Sequence, residues 1–323
     1  MKSKRNPEIV ITALICFGLI VMVLWVYYGA VFGEKMPQKK KEVSVVLYHS
    51  GDDGWESLME GVKQAEKDFS VNINYVTVKK DMTGEEQAEL VRQEIERGAQ
   101  GILLAVADSA VMPQELVNEG VQVPIITMES GADAAAYTFF SADNEAMGKA
   151  LGEEIRKDFA DKDKPKIVVV EECMERNSVR ERALGLYESL ESQAEILKLQ
   201  RTDERIELSL FLANELKRSN ADVVVALNKE SLQALGEISK DVVGTKKVYG
   251  IGNAASIVTA LDKGKIEKLV FQNEFNIGYL SVEALVKEMD GIQSKTGEID
   301  FYCVGKGNVH EKQYERLLFP IVE

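Results

Sequence analysis

From Val43 onward the chain alternates short β-branched runs with amphipathic helical stretches, and this alternation narrows the possible folds more than any other feature. VSVVLY (43–48), INYVTV (73–78), GILLAV (101–106), VPIITM (123–128) and YTFF (137–140) read as strands, with helices expected near 55–69, 84–97 and 112–119. A second set follows in KIVVVE (166–171), EILKLQ (195–200), DVVVAL (222–227), KVYGIG (247–252) and KLVFQ (268–272). Strands separated by helices of this length build βαβ units and a mainly parallel sheet.

The two sets share a layout. ELVRQEIERGAQGILLAV (89–106) and LFLANELKRSNADVVVAL (210–227) each pass from an amphipathic helix through a polar turn into a buried strand. Two similar α/β lobes in tandem are the simplest explanation. The stretch FSADNEAMGKALGEEI (140–155) lies where one set ends and the next begins. Asp143 is placed to cap a helix from about 144, and Gly148 and Gly152 fall four apart on one face of it. An interior glycine weakens a helix by about 1 kcal/mol relative to alanine. The pair therefore argues for another backbone at close approach.

Ahead of the lobes, Lys2, Lys4 and Arg5 precede a run from 9 to 32 with no charged side chain. A bilayer core of about 30 Å needs about 20 helical residues, so this run is expected to span a membrane. Val31-Phe32-Gly33 is a poor small-x-small cleavage site, and Cys16 follows Ile15 in mid-run, unlike a lipoprotein cysteine. The expectation is an uncleaved anchor over 9–32, a cytoplasmic tail over 1–8, a polar linker over 33–42 and an extracytoplasmic body. A net charge of -14, with no basic stripe after residue 42, argues against a nucleic-acid partner.

Catalytic and metal chemistry find little footing. His49 and His310 are the only histidines, and with Cys173 and Cys303 they form no metal-ligand spacing. His49 and Ser50 are adjacent on a strand, where neighbouring side chains point to opposite faces, so they do not form a nucleophile–base pair. No phosphate-binding G-x-x-x-x-G-K-[ST] is present, and GIGNAAS (250–256) lacks the third glycine of a dinucleotide fingerprint. No enzyme activity, metal or cofactor is expected. Parallel α/β sheets instead bind ligands at the carboxyl ends of their strands. Here those ends supply Ser50 to Trp55, Asp108, Glu129 and Ser130, Asn177 and Ser178, Asn228 and Lys229, Gly252 and Asn253, and Gln272 and Asn273. Polar side chains with one aromatic, Trp55, suit a small hydroxylated or zwitterionic molecule.

Several ordered motifs resemble the type I periplasmic binding proteins of the ribose- and galactose-binding group. They are SADNEAMG (141–148), RERALGL (180–186), ALN (226–228) followed by ALG (234–236), VYGIG (248–252) and VFQN (270–273). PIITMES (124–130) and the tail GKGNVHEKQYERLLFPI (305–321) match as well, so the resemblance covers about residues 43 to 323. It implies two Rossmann-like lobes with parallel sheets joined by a three-segment hinge: 43–141 plus 274–300, and 142–273 plus 301–323. Hinge residues would be Ala142, Asp143, Gln272, Asn273 and Phe301. The resemblance places Asp52, Asp53 and Trp55 in a sugar-contacting loop, with Glu129, Arg182, Asn228 and Gln272 as further ligand contacts beside the strand-end Asn177. It implies a sugar- or polyol-binding protein serving an ABC permease, or else a sensor kinase. Three departures stand out: Gly252 where the family has an acid, Ser130 where ribose binders have arginine, and Lys229 where an aspartate follows the asparagine.

Overall fold

Two six-stranded sheets organise the chain beyond residue 40, one for each set of strands. The computed structural model describes residues 7–32, 40–50, 53–76, 78–80, 82–111, 116, 120–133, 137–203 and 205–319. The first sheet contains β1 (Glu42–Val46), β2 (Asn72–Val76), β3 (Gly101–Leu104), β4 (Ile125–Met128), β5 (Thr138–Ser141) and β11 (Gly297–Glu298). Their order is β11-β5-β4-β3-β1-β2, and every pairing is parallel. The second contains β6 (Lys166–Val170), β7 (Glu195–Leu199), β8 (Val223–Ala226), β9 (Lys247–Ile251), β10 (Lys268–Gln272) and β12 (Phe301–Gly305), in the order β12-β10-β9-β8-β6-β7. It is parallel except at one edge, where β12 runs antiparallel to β10, in keeping with a mainly parallel sheet.

Helices α2 (Glu56–Phe69), α3 (Gly84–Glu96) and α10 (Glu274–Met289) flank the first sheet. On the second side are α4 (Asn144–Asp158), α5 (Asn177–Leu190), α6 (Leu208–Arg218), α7 (Lys229–Glu237), α8 (Lys240–Val243), α9 (Ala255–Asp262) and α11 (Lys312–Leu318). The helix expected over 112–119 lies largely outside the described residues.

Strand alternation explains the two-faced packing. Val43, Val45, Leu103, Ile126 and Met128 join the cluster with Leu58 and Val62 of α2, whereas Val46, Ile102, Leu104 and Ile125 join Ala88 and Val91 of α3. Successive side chains on a strand point to opposite faces, so a sheet covered on both sides needs apolar residues at consecutive positions. The outer strands β2 and β7 have only one neighbour each and show the same mixed burial, a further likeness between the lobes.

The chain passes between lobes at residues placed close together. After β5 it enters α4, whose first turn is capped by Asp143 accepting from Ala146 N at 2.8 Å. After β10 it enters α10, capped by Asn273 accepting from Asn276 N at 3.1 Å. Gln272 Oε1 accepts from Ala142 N at 2.9 Å, Asn273 N donates to Asp300 O at 2.9 Å, and Gln272 pairs with Phe301 across β10 and β12.

Glycines set the helix spacing in both lobes. A Cβ at Gly148 would lie 2.0 Å from Arg182 O, and one at Gly185 would lie 1.9 Å from Glu145 O, so α4 and α5 meet backbone to backbone. In the other lobe a Cβ at Gly61 would lie 2.0 Å from Phe275 O, and one at Gly278 would lie 2.2 Å from Leu58 O. Gly152 serves the same packing, its Cβ position falling 1.7 Å from Ser189 Oγ.

The stretch up to Lys40 forms a unit of its own. Within it α1 (Pro7–Phe32) is helical throughout, and its described side chains, 15–27, are exposed. Among the described residues no helix is long and apolar enough to cross a membrane.

Candidate functional site

The parallel strands of both sheets direct their carboxyl ends toward one cleft, where the loops after β1, β3 and β4 meet those after β6, β8 and β9. Glu129 follows β4 in the left-handed region, with φ 62°. Its Oε1 accepts from Arg182 Nη2 at 2.7 Å and its Oε2 from the Tyr48 hydroxyl at 2.6 Å. Arg182, on α5, also donates through Nε to Asn144 Oδ1 at 2.8 Å and through Nη1 to Leu227 O at 3.2 Å. The pair is buried on both sides, with side-chain exposures of 4% and 4%. Burial opposes ionisation of Glu129, but Arg182, the Tyr48 hydroxyl, Arg176 and Lys229 outweigh it and hold the carboxyl below the usual range. Burial together with Glu129 pushes the Tyr48 hydroxyl well above its ordinary value.

Two more cations reach across from the second lobe. The Arg176 guanidinium lies 3.6 Å from the centroid of the Tyr48 ring while its Nη1 pairs with Glu230 at 2.9 Å. Lys229 Nζ pairs with Glu274 Oε1 at 2.6 Å, donates to Gly54 O, and sits 4.7 Å from the Trp55 ring centroid. Burial raises the Glu274 carboxyl, with Lys229 countering only part of that rise. Further out, Arg180 grips Asp133 with two bonds of 2.7 and 2.8 Å. Asn177 Oδ1 accepts from Ser130 Oγ at 3.0 Å and Gly131 N at 2.9 Å, and its N–H donates to Ser109 Oγ at 2.9 Å.

The expected ligand residues therefore divide into two groups. Glu129, Arg182, Asn177, Trp55 and Gln272 bond to the protein itself in and around the interlobe contact. Asn228 caps α7 by accepting from Ser231 N at 2.9 Å and donates to Glu172 O at 2.7 Å. Asp53 accepts from Ser256 N at 2.9 Å and from Gln233, and it lines the cavity that remains between the lobes together with the strand-end Asp108. Asp52 lies outside the described residues. That cavity has a volume of about 830 Å³ and is walled by Tyr48, His49, Asp53 and Asp108 on one side and Glu172, Arg176, Glu230 and Gln233 on the other.

Sequence reasoning missed Tyr48, Arg176, Arg180, Asp133 and Glu274. Arg176 and Arg180 lie one helical turn apart at the start of α5, immediately before the arginine that was singled out, and that spacing was the available signal. Cys173 and Cys303 are free thiols, and burial pushes Cys303 up to about 11. Among the described residues no group of His, Cys, Asp or Glu is arranged to hold a metal ion.

A family model described as periplasmic binding protein domain matches residues 43–293. No curated protein matches the chain. Among solved structures, a carbohydrate transporter solute-binding protein from Agrobacterium radiobacter, in complex with D-arabinose, is 18% identical with a TM-score of 0.79, covering 87% of this chain and 99% of its own. An ABC transporter solute-binding protein from Agrobacterium vitis with bound D-fucose is 16% identical with a TM-score of 0.75, covering 86% and 100%. The XylFII–LytSN complex includes a chain 14% identical with a TM-score of 0.71, covering 84% and 99%. These likenesses show a shared two-lobe fold.

Proposed function

The chain belongs to the periplasmic binding protein domain family, whose members bind solutes and are not enzymes, and from that premise we propose that it captures a small, sugar-like solute between its lobes. The cavity of about 830 Å³ at the facing strand ends carries this reading. Its volume falls within the roughly 300–1,000 Å³ usual for small-molecule sites, and its polar walls come from both lobes. Asp53 meets the solute directly in this scheme. Glu129, Arg182, Asn177, Asn228, Trp55 and Gln272 exchange protein contacts for solute contacts as the lobes part, and Asp52 lies in the same loop as Asp53. The crossings near Ala142, Asp143, Gln272, Asn273 and Phe301 act as the hinge, dividing 43–141 plus 274–300 from 142–273 plus 301–323.

The run over 9–32 serves as a single-pass membrane anchor, with the body outside and the closed form read by an ABC-type importer. The absence of charge across the run supports an anchor there, and the side chains described within it, 15–27, cover a stretch shorter than the about 20 residues a span needs. A second reading, presentation of the bound state to a membrane sensor kinase, draws on the neighbour solved as a two-protein complex, XylFII–LytSN. Neighbouring genes separate the two: a permease with its ATPase supports import, and a histidine kinase supports sensing.

Thermal unfolding of the full chain in detergent, against sugars, polyols, amino acids and nucleosides, tests the capture of a sugar-like solute. A ligand that binds only the folded state raises the midpoint in step with its concentration. At least one sugar or polyol is expected to do so. A panel in which none does, at any concentration, contradicts the sugar-like assignment.

A further inference from the structure

Two cations of the second lobe cover the aromatic platform of the first. Tyr48 and Trp55 meet edge to face with centroids 4.8 Å apart, and the Trp55 Nε1–H donates to Tyr48 O at 2.8 Å. Arg176 lies over Tyr48 at 3.6 Å and Lys229 over Trp55 at 4.7 Å. Lys229 is only 7% exposed, and its ammonium has three partners at once: the Trp55 ring, Gly54 O and the Glu274 carboxylate. A cation over an indole face gains more as water is excluded, so this position is well matched to an ammonium.

The opposing loop is shaped to admit the lysine stem. Gly252 has φ 142°, a conformation suited to glycine, and a Cβ built there would lie 2.7 Å from Lys229 Cγ. A side chain at 252 and the present path of Lys229 exclude each other. Two of the three positions where this chain departs from the resembling family, Lys229 and Gly252, are thus one structural arrangement.

We infer that Lys229 determines the specificity of the cleft by occupying the Trp55 face as a tethered cation, so that a neutral sugar ring or polyol reaches that face only by displacing it. The inference rests on the proposed capture of a small solute between the lobes and specifies what that site rejects. Displacement requires the ammonium to leave the ring, the carbonyl and the carboxylate together. The apparent affinity for a neutral ring then falls by the fraction of molecules in which Lys229 has withdrawn. The cavity that stays accessible lies beyond Tyr48 and Arg176, and neither Trp55 nor Lys229 lines it.

Calorimetric titration of the full chain with D-arabinose and with D-fucose tests the inference, using the wild type, Lys229→Ala and the double variant Lys229→Ala/Glu274→Gln. Alanine removes both the stem and the charge from the Trp55 face. The double variant leaves no unpaired carboxylate and serves if the single variant fails to fold. At least one sugar is expected to bind the variants about tenfold or more tightly than the wild type, consistent with removal of a competing internal occupant. Folded variants that bind as the wild type does, or more weakly, overturn the inference. If the wild type binds and the variants gain nothing, the inference fails while solute capture stands. A gain confined to the variants upholds the inference while removing these sugars as the wild-type solute. If folded variants and wild type alike bind neither sugar, the inference fails, and the wider thermal panel decides solute capture separately.

Discussion

Glu129 sits at the meeting point of Arg182, Arg176, Lys229 and the Tyr48 hydroxyl, and its protonation is tied to the interlobe contact. Because its carboxyl is held below the ordinary value, its contribution to stability is complete above the usual glutamate pKa of about 4.3. That contribution disappears as pH falls through the folded-state value. Glu274 has the opposite sign: its carboxyl is raised by burial, so its ionised form weakens the folded state at neutral pH, and this weakening fades on acidification. Thermal unfolding across pH separates the two. Glu129→Gln should lower the midpoint at pH 7, where Arg182 loses its buried counter-charge, and should flatten the acid limb below about pH 4.3. An acid limb as steep in the variant as in the wild type would contradict the assignment.

Helix pairs α4–α5 and α2–α10 carry the same device in both lobes, glycine against backbone. In an exposed helix a Gly→Ala change stabilises by up to about 1 kcal/mol. At Gly148 the added methyl would meet Arg182 O at 2.0 Å, so the sign reverses. Overpacking of this kind costs about 1–3 kcal/mol, and it also shifts the backbone that presents Arg182 to Glu129. Urea unfolding of Gly148→Ala should show that loss, and a variant as stable as the wild type would contradict the close approach. Gly148 and Gly152 were legible in sequence because two glycines four apart weaken a helix without an evident local reason. Gly185, which lets α5 meet α4 beside Gly148, was not, since a lone helix glycine has no spacing to read. The match of Gly61 with Gly278 was also hidden, because it depends on where the chain crosses back into the first lobe.

At the scale of the molecule, strand alternation and the repeated helix–turn–strand layout were enough to anticipate two parallel α/β lobes. The antiparallel β12 was not, because its sequence, FYCVG, has no feature that fixes direction. The site was legible in its positions more than in its contacts. Strand ends named Glu129 and Asn177, and the family resemblance named Arg182, all as residues facing a ligand. In the structure, Glu129 bonds Arg182 and Asn177 bonds Ser130, because opposite charges and matched donors on facing walls satisfy each other when the lobes meet. Sequence pattern shows which residues face the cleft, but not whether their partner is a solute or the other wall. The central claim is that this cleft still takes a solute, and calorimetric titration of the wild-type full chain with sugars and polyols tests it most directly. One saturable site per chain is predicted, weakened about tenfold or more by Asp53→Ala, as expected for losing a hydrogen bond to a charged group. No saturable heat with any sugar or polyol, or a site indifferent to Asp53→Ala, would contradict it.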